Sequence, residues 1–584
     1  MDAPQQSAPP RAANGGARWH VQPGWEHLVS PRSDLSGLLN AGQASIVKDG
    51  SHRTVYRVDL PQTAVYVKHY RCAGLLRRGR HLLRASSARR EWRKVQQLIG
   101  RDLPTALPVA FGEEESAGLV GDSYLVTRAI DPSMTLDEAM ATGPLKGNST
   151  EAVRLQQQSV RKLAQLAAAL HQAGVAPDDF HGGNILVQIE QSDSENADQN
   201  LPGVHLHLID VPGIRIGRKS LSWREARRSL VMLTSGFMHR TSAVQRWRFW
   251  REYLRCIRPQ PPVNAKSEAA VVYSQAQAYA CKLLRGRDAR ALRDNRDFRR
   301  IRTRDAKAHA VREMSPAQLE ALLSDPASLV NKFQHVPQKL SSGSLVVQAE
   351  LDIAGQGRAV AYKRMRPTRG IDKLLNLLFR RVVRSKAIKN LRLGHALLHR
   401  GIPTARPVFC YSGRREEYLA TEWIAGGENL HLFGWRIAEL PVAERDALAM
   451  QAANALGQTI GRMHWWKIRH RDLKGCNVMF AVSEAALSKH DSSQPQVTAH
   501  IVDLDGVRIH RRLSYRLQVR DVARLAVSAS IHTCVSAEVR QAFLDAYLKT
   551  IRPNKLDRAR FADDIDVEAK KIIQGMRKRG AAVA

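Results

Sequence analysis

The sequence predicts an α+β chain of two tandem, two-lobed domains, each with a small β-rich N-lobe and a helical C-lobe. Three observations predict it. A polar triad occurs twice at one spacing: Asp179, Asn184 and Asp210, then Asp472, Asn477 and Asp503, with 5 residues from Asp to Asn and 26 from Asn to the second Asp. The offset between copies is nearly constant: 295 from Lys68 to Lys363, 299 from Pro104 to Pro403, 293 from Asp179 to Asp472. The order of strand-like and helix-like segments around these residues repeats as well. Two copies exclude a stacked solenoid, which needs about three or more units of roughly 20–50 residues.

Residues 1–25 are rich in Pro, Gln, Ala and Gly and are expected to be disordered. Copy one spans 26–255. It opens with two short strands, Thr54–Leu60 and Thr63–Tyr70, about a turn at Pro61. A helix over Ala88–Ile99, the segment from Leu103 to Val109 and a strand over Ser123–Thr127 follow. A long helix over Val153–Gln172 then leads to Asp179. Copy two, 326–584, repeats this with strands Leu345–Leu351 and Arg358–Lys363, a helix over Ser385–Arg400, the segment Gly401–Val408, a strand over Glu417–Ile424 and a helix over Ala447–Trp465. Residues 256–325 fit neither pattern and read as a basic helical connector. The polar stretches Gln191–Asn200 and Lys489–Gln496 read as exposed tips.

A chain of 584 residues is too long for one core. Its 90 Lys+Arg against 55 Asp+Glu give a net charge of +35, a field that favours polyanions without choosing among nucleic acid, anionic lipid and phosphorylated sugar. Six cysteines lie far apart with no Cys-x-x-Cys pair, which argues against a disulfide framework or zinc site and fits a reducing cytosol. The N-terminus lacks the apolar stretch of a signal peptide, and no run approaches the roughly 18 apolar residues of a membrane span. Any meeting with a membrane is then expected at its surface.

The triads carry the chemistry. Phosphoryl transfer needs a carboxylate to orient the attacking hydroxyl, and an amide with a second carboxylate to hold the metal ions that bridge the phosphates. Asp472 and Asp179 fit the first role; Asn477 with Asp503, and Asn184 with Asp210, fit the second. Lys474, two residues past Asp472, is placed to stabilise charge on the transferred group. Lys68 and Lys363 each end an apolar β-run, from which an ammonium reaches phosphate while its stem stays packed. Glu91, on the next helix, is a candidate partner for Lys68; copy two has Asn390 there. Gly50 and Gly343 precede the first strands and are candidates for backbone contact with phosphate, although neither stands in a full Gly-x-Gly-x-x-Gly loop. The basic stretches Arg71–Arg84 and Lys373–Lys386 follow each lysine. In the second, Leu374, Leu378 and Val382 make an apolar face flanked by cations, the pattern of an interfacial helix. At about 1 kcal/mol per basic residue, it suits weak docking to an anionic membrane.

The Val65–Tyr70 and Ala361–Arg364 strands, the Gly401–Val408 segment, His470-Arg-Asp-Leu-Lys-Gly-Cys-Asn477 and the ending Ile501-Val-Asp503 without Phe-Gly together resemble the Kdo/heptose lipopolysaccharide kinase family of the protein-kinase-like superfamily. The resemblance covers roughly 41–255 and 326–555. It implies two tandem bilobal protein-kinase-like domains, ATP with Mg²⁺ (Mn²⁺ as an alternative), and transfer to a sugar hydroxyl of the lipopolysaccharide inner core. It also implies a cytoplasmic protein peripheral to the inner face of the inner membrane, with a lipid-linked sugar as substrate and no specific nucleic acid.

Copy one departs further, with Asp178 where copy two has Arg471 and Pro212 where it has Asp505. Copy two is the better candidate catalyst. A Ser/Thr protein kinase is the competing reading, supported by Arg471-Asp-Leu-Lys474 and opposed by the lack of Ala-Pro-Glu after Asp503. A scaffold with one inactive domain is another. A nucleic-acid binder rests on charge alone.

Overall fold

The structure, a computed structural model, describes residues 17–578 apart from 27–42, 51, 62, 73–83, 117–118, 148, 191–202, 239, 334–338, 342–343, 367–384, 414, 483–495 and 552–556. Gly343, residues 1–16 of the expected tail, the bulk of both basic stretches and most of the two polar tips lie outside the described residues. The chain divides into two compact units, Met1–Ala280 and Cys281–Ala584. Each contains one copy.

The first unit's N-lobe is an antiparallel sheet in the order Arg18–Val21, Pro108–Ser116, Leu119–Arg128, Ala64–Tyr70, Arg53–Asp59, Ala44–Lys48. Thr54, Tyr56 and Val58 alternate inward, as the two-residue period of a strand requires, and Tyr56 and Val58 join Val65, Val67, Val109, Ala110 and Val126 in one core. Full burial of each large apolar side chain stabilises by about 1.5–3 kcal/mol. The helix Ser87–Ile99 starts where the Ser86 side chain accepts from the Arg89 backbone N–H. It buries Ala88, Trp92, Val95 and Leu98 at helical spacing, and also Glu91. Below the sheet, helices Thr150–Gln172 and Ala243–Cys256 bury Leu163, Leu166, Leu170, Trp250 and Tyr253. Arg18–Val21 corrects the expectation of disorder over residues 18–21: alternate exposure hid a strand that pairs with Val109's neighbours, Ala110–Glu113.

The second unit repeats this plan with the sheet order Phe298–Arg302, Lys307–Val311, Pro407–Ser412, Glu417–Glu422, Gln356–Met365, Ser344–Ile353, Lys339–Ser341. The first two strands correct the helical reading of 256–325. Arg299, Arg300 and Arg302 stay partly or fully exposed on the sheet's edge strand, while Phe298 and the neighbouring strand's Ala308, Ala310 and Val311 are buried, so the charge that suggested an exposed helix lies on an edge strand. Asp288, at the end of helix Ala265–Arg290, forms a two-pronged buried ion pair with Arg400 at 2.8 and 2.9 Å. Trp466 lies under that guanidinium and donates to the Arg400 carbonyl. Residues 281–311 are thus part of the folded body of the second unit.

The duplication reaches the backbone. Gly174 and Lys467, at matching positions, have φ of 72° and 62°; Asp102 and Gly401 have 54° and 64°. The left-handed turn persists in both copies although glycine occupies it in only one of each pair, at an energetic cost to Lys467 and Asp102.

Candidate active site

The loops that carry the triads are fastened in the same way in both units. A two-stranded pair, Val175–Pro177 with Ile214–Ile216, or Ile468–His470 with Val507–Ile509, pins the start of the Asp179 or Asp472 loop to the segment after the second aspartate. The Asn184 side-chain N–H donates to the Asp179 carbonyl at 2.9 Å, and that of Asn477 to the Asp472 carbonyl at 2.8 Å. This leaves each amide oxygen as the metal-competent atom. The Pro-Thr segments have a physical role here. The Thr105 hydroxyl donates to the Leu208 carbonyl at 2.8 Å, and that of Thr404 to the Ile501 carbonyl at 2.6 Å. They tie the strand that precedes the second aspartate to the N-lobe side. Asp210 and Asp503 then sit in left-handed conformation, φ 59° and 57°. Such backbone in a non-glycine residue is uncommon, and finding it at both candidate metal carboxylates marks a constrained loop.

The lysines differ. In the first unit Lys68 Nζ meets Glu91 Oε1 at 2.6 Å, and the Tyr70 hydroxyl donates to the other carboxylate oxygen of Glu91. Glu91 is 1 % exposed, so burial on the apolar face of its helix is explained by these two partners. In the second unit Asn390 replaces it, and Lys363 Nζ turns to Asp503 Oδ1 at 2.9 Å. Asn390 donates instead to Asp505, whose counterpart is Pro212. The acid has moved from the helix to the loop, and two departures that looked separate in sequence form one exchange.

Asp472 is half-exposed and lies 3.2 Å from Lys474 Nζ and 3.7 Å from Arg524 Nη2. In the first unit Asp179 has His181, at the position of Lys474, 3.4 Å away. Beneath the Asp472 loop lies Asp521, buried, which accepts from the His470 backbone N–H at 3.0 Å and from Arg469 Nε at 2.7 Å. Burial lowers the His470 pKa and keeps its ring uncharged below the loop. The sequence reading missed Asp521, Arg524 and Arg53. The position matching Asp521 holds Ser229, so a search for shared residues passes over it.

Arg53 donates from two nitrogens to the two oxygens of Asp210, at 2.8 and 3.3 Å. Burial pushes the Asp210 carboxyl up, but Arg53, with Lys68 and Lys48, outweighs it and holds the group below the usual carboxylate range. A cavity of about 290 Å³ opens between Arg53, Asp179, Asn184, Asp210 and Pro212. A larger one of about 580 Å³, lined by Met140, Val153, Phe237 and Phe249 of the helical lobe, contains none of the predicted site residues. Gly50 lies just past the strand Ala44–Lys48, where its carbonyl accepts from Arg71.

Carboxylate and amide oxygens are the hard donors that magnesium takes alongside phosphate and water. Asn477 and Asp503 suit such an ion, with the Asn477 amide already turned by its bond to the loop. A lysine-bearing strand, a carboxylate loop and an adjoining Asn/Asp pair, twice on a two-lobed α+β frame, define a phosphotransferase. The chain belongs to the lipopolysaccharide kinase (Kdo/WaaP) family, which matches residues 39–247 and 346–547, more than half of the chain and one stretch in each unit. It is a kinase, which implies ATP as the phosphoryl donor. The lipopolysaccharide core heptose(I) kinase WaaP of Escherichia coli is 23% identical over 247 residues, 41% of this chain and 88% of the relative. A solved structure described as WaaP in complex with acyl carrier protein is 20% identical, covering 46% of this chain and 99% of that one, with a TM-score of 0.33.

Proposed function

We propose that the second unit transfers the γ-phosphoryl group of ATP to a hydroxyl of a heptose or Kdo sugar in the lipopolysaccharide inner core. The observation that carries this reading is the fastened Asp472 loop. Asp521 fixes its backbone from below, Asn477 closes it, and Asp472 keeps a half-exposed carboxylate beside Lys474. In this reading Asp472 accepts the hydrogen bond of the sugar hydroxyl and orients it for attack. Lys474 lies on the side where charge spreads over the transferred group. Lys363 leaves Asp503 for the nucleotide phosphates when ATP enters. Asn477 and Asp503 would hold Mg²⁺, which neutralises phosphate charge when bound. Asn184 and Asp210 are the matching pair of the first unit, whose fit to a metal differs because of Arg53. In this reading Gly50 borders the phosphates of the first unit, and Gly343 is assigned the same role from its sequence position alone.

The sugar class is supported by family membership and by the named activity of the Escherichia coli relative. A cytoplasmic location against the inner membrane surface is supported by the +35 charge. Among the described residues no helix is long and apolar enough to cross a membrane. The domain limits in this reading are about 17–280 and 281–578.

The test is ATP turnover by the full chain with purified lipopolysaccharide core as acceptor, against a generic protein substrate. Phosphate on the sugar supports the proposal. Phosphate on protein alone would replace it with a Ser/Thr kinase, and no turnover with either acceptor would favour the scaffold.

A further inference from the structure

The two units differ at three matched positions around the strand lysine. Strand pairing places Val55 opposite Lys68 and Val346 opposite Lys363, so Arg53 and Tyr70 of the first unit correspond to Ser344 and Met365 of the second. Glu91 corresponds to Asn390, five residues after the matching caps Ser86 and Ser385. In the first unit these side chains form one chain of contacts. Lys68 meets Glu91, Tyr70 donates to Glu91, Arg53 lies over the Tyr70 ring at 5.9 Å, and Arg53 grips Asp210. Burial of the phenol and the nearby Glu91 charge raise the Tyr70 pKa, which keeps the hydroxyl protonated as the donor. None of Arg53, Tyr70 and Glu91 is repeated in the second unit.

A divalent ion at Asp210 would have to displace a two-pronged guanidinium that is only 21 % exposed. It would enter where Arg53, Lys68 and Lys48 already face that single carboxylate. The first unit's residues therefore do not fit a magnesium site as the second unit's do. They fit an anion. A guanidinium carries five N–H donors; Arg53 engages Asp210 with two and also bonds to the Tyr70 hydroxyl, which leaves donors for phosphate oxygens. Neutralised by Arg53, Asp210 no longer repels a triphosphate, which is the task a metal performs elsewhere. The cavity of about 290 Å³ beside Arg53 and Asp210 provides space for the phosphate groups.

We propose that the first unit binds a nucleoside triphosphate without a divalent metal, Arg53 taking the metal's place. The inference rests on reading that cleft as a nucleotide site, and it makes the first unit a metal-independent nucleotide-binding module beside a metal-dependent kinase.

The test uses the full-length chain with Lys363→Met and Asp503→Asn, which silences the second site by removing both partners of its ion pair. Binding of a fluorescent ATP analogue is titrated in EDTA and in magnesium. We expect affinities that agree within about three-fold between the two conditions, and loss of the signal on adding Lys68→Met. Arg53→Ser, the residue of the second copy, should weaken binding in EDTA by about ten-fold or more, with magnesium restoring it. Arg53→Lys, which keeps the cation but loses the fork, should bind in EDTA more tightly than Arg53→Ser and more weakly than the Arg53 protein; thermal melts check that each variant folds. Collapse of binding in EDTA, insensitivity to Arg53→Ser, survival of the signal in Lys68→Met, or no binding in either condition would each overturn the inference. Phosphoryl transfer to lipopolysaccharide core by the unsubstituted chain tests the kinase reading separately.

Discussion

The two clefts share a backbone and differ in where they keep their charges. In the first unit the strand lysine is paired with a helix glutamate, and the second aspartate of the triad is held by an arginine. In the second, the lysine rests on that aspartate itself, and the helix offers an asparagine bonded to the following loop. Beneath the loop, one unit buries a carboxylate, Asp521, where the other buries a serine, Ser229. The spacing of a triad therefore reports the fold of the loop. Its chemistry depends on counter-charges that come from other elements, and these are what the duplication has changed.

The largest expected effect is on the difference in catalysis. Asp472→Ala should lower phosphoryl transfer by about 10²–10⁴-fold, the range for loss of a positioned acid–base group. Asp179→Ala should have a much smaller effect on the same steady-state assay. Equal losses in the two variants would erase the asymmetry. Next is Asp521→Ala, which leaves the partly buried Arg469 charge and the buried His470 backbone N–H without their acceptor and should destabilise the second unit by about 3 kcal/mol, read as a shifted urea midpoint. Its counterpart Ser229→Ala should change stability by less than about 1 kcal/mol, because that buried hydroxyl has no hydrogen-bond partner among the described residues.

A third prediction concerns acid. Burial lowers the pKa of His171 to about 3, while an unfolded chain protonates histidine near 6.5. The unfolded state takes up the proton first. The stability this residue contributes is complete above about pH 6.5 and falls, by up to about 1.4 kcal/mol per pH unit, as pH drops towards 3. In the fold, the ring bonds to the Tyr253 hydroxyl at 2.8 Å. His171→Gln should flatten that slope in urea titrations of the first unit, and an unchanged slope would remove His171 as its source. A matched pair of small effects should be equal in the two units: Ser86→Ala and Ser385→Ala each remove a matching helix cap and should each cost about 1 kcal/mol in thermal melts.

Periodicity and spacing were enough to place the strands that carry Lys68 and Lys363, the long helices before each loop, and all six triad residues. Arg18–Val21 and Phe298–Val311 were not legible. Short edge strands with exposed arginines have the composition of a tail or a basic helix until pairing partners are known. Arg53 was hidden because its role comes from a carboxylate 157 residues away. The Asn390–Asp505 bond was visible as two substitutions, and only the fold made them one.

The buried Arg400–Asp288 pair bears on how the halves can be separated. A fragment cut at residue 326 would discard the carboxylate and leave a guanidinium, 1 % exposed, with its counter-ion gone. It would also uncover the edge of Pro407–Ser412 by removing the strand that pairs with it, and a bare edge invites one molecule to add to the next. A cut just before Cys281 retains both. A stretch that by composition looks expendable thus sets where a protease or a recombination event can divide the gene product and still leave a soluble second half.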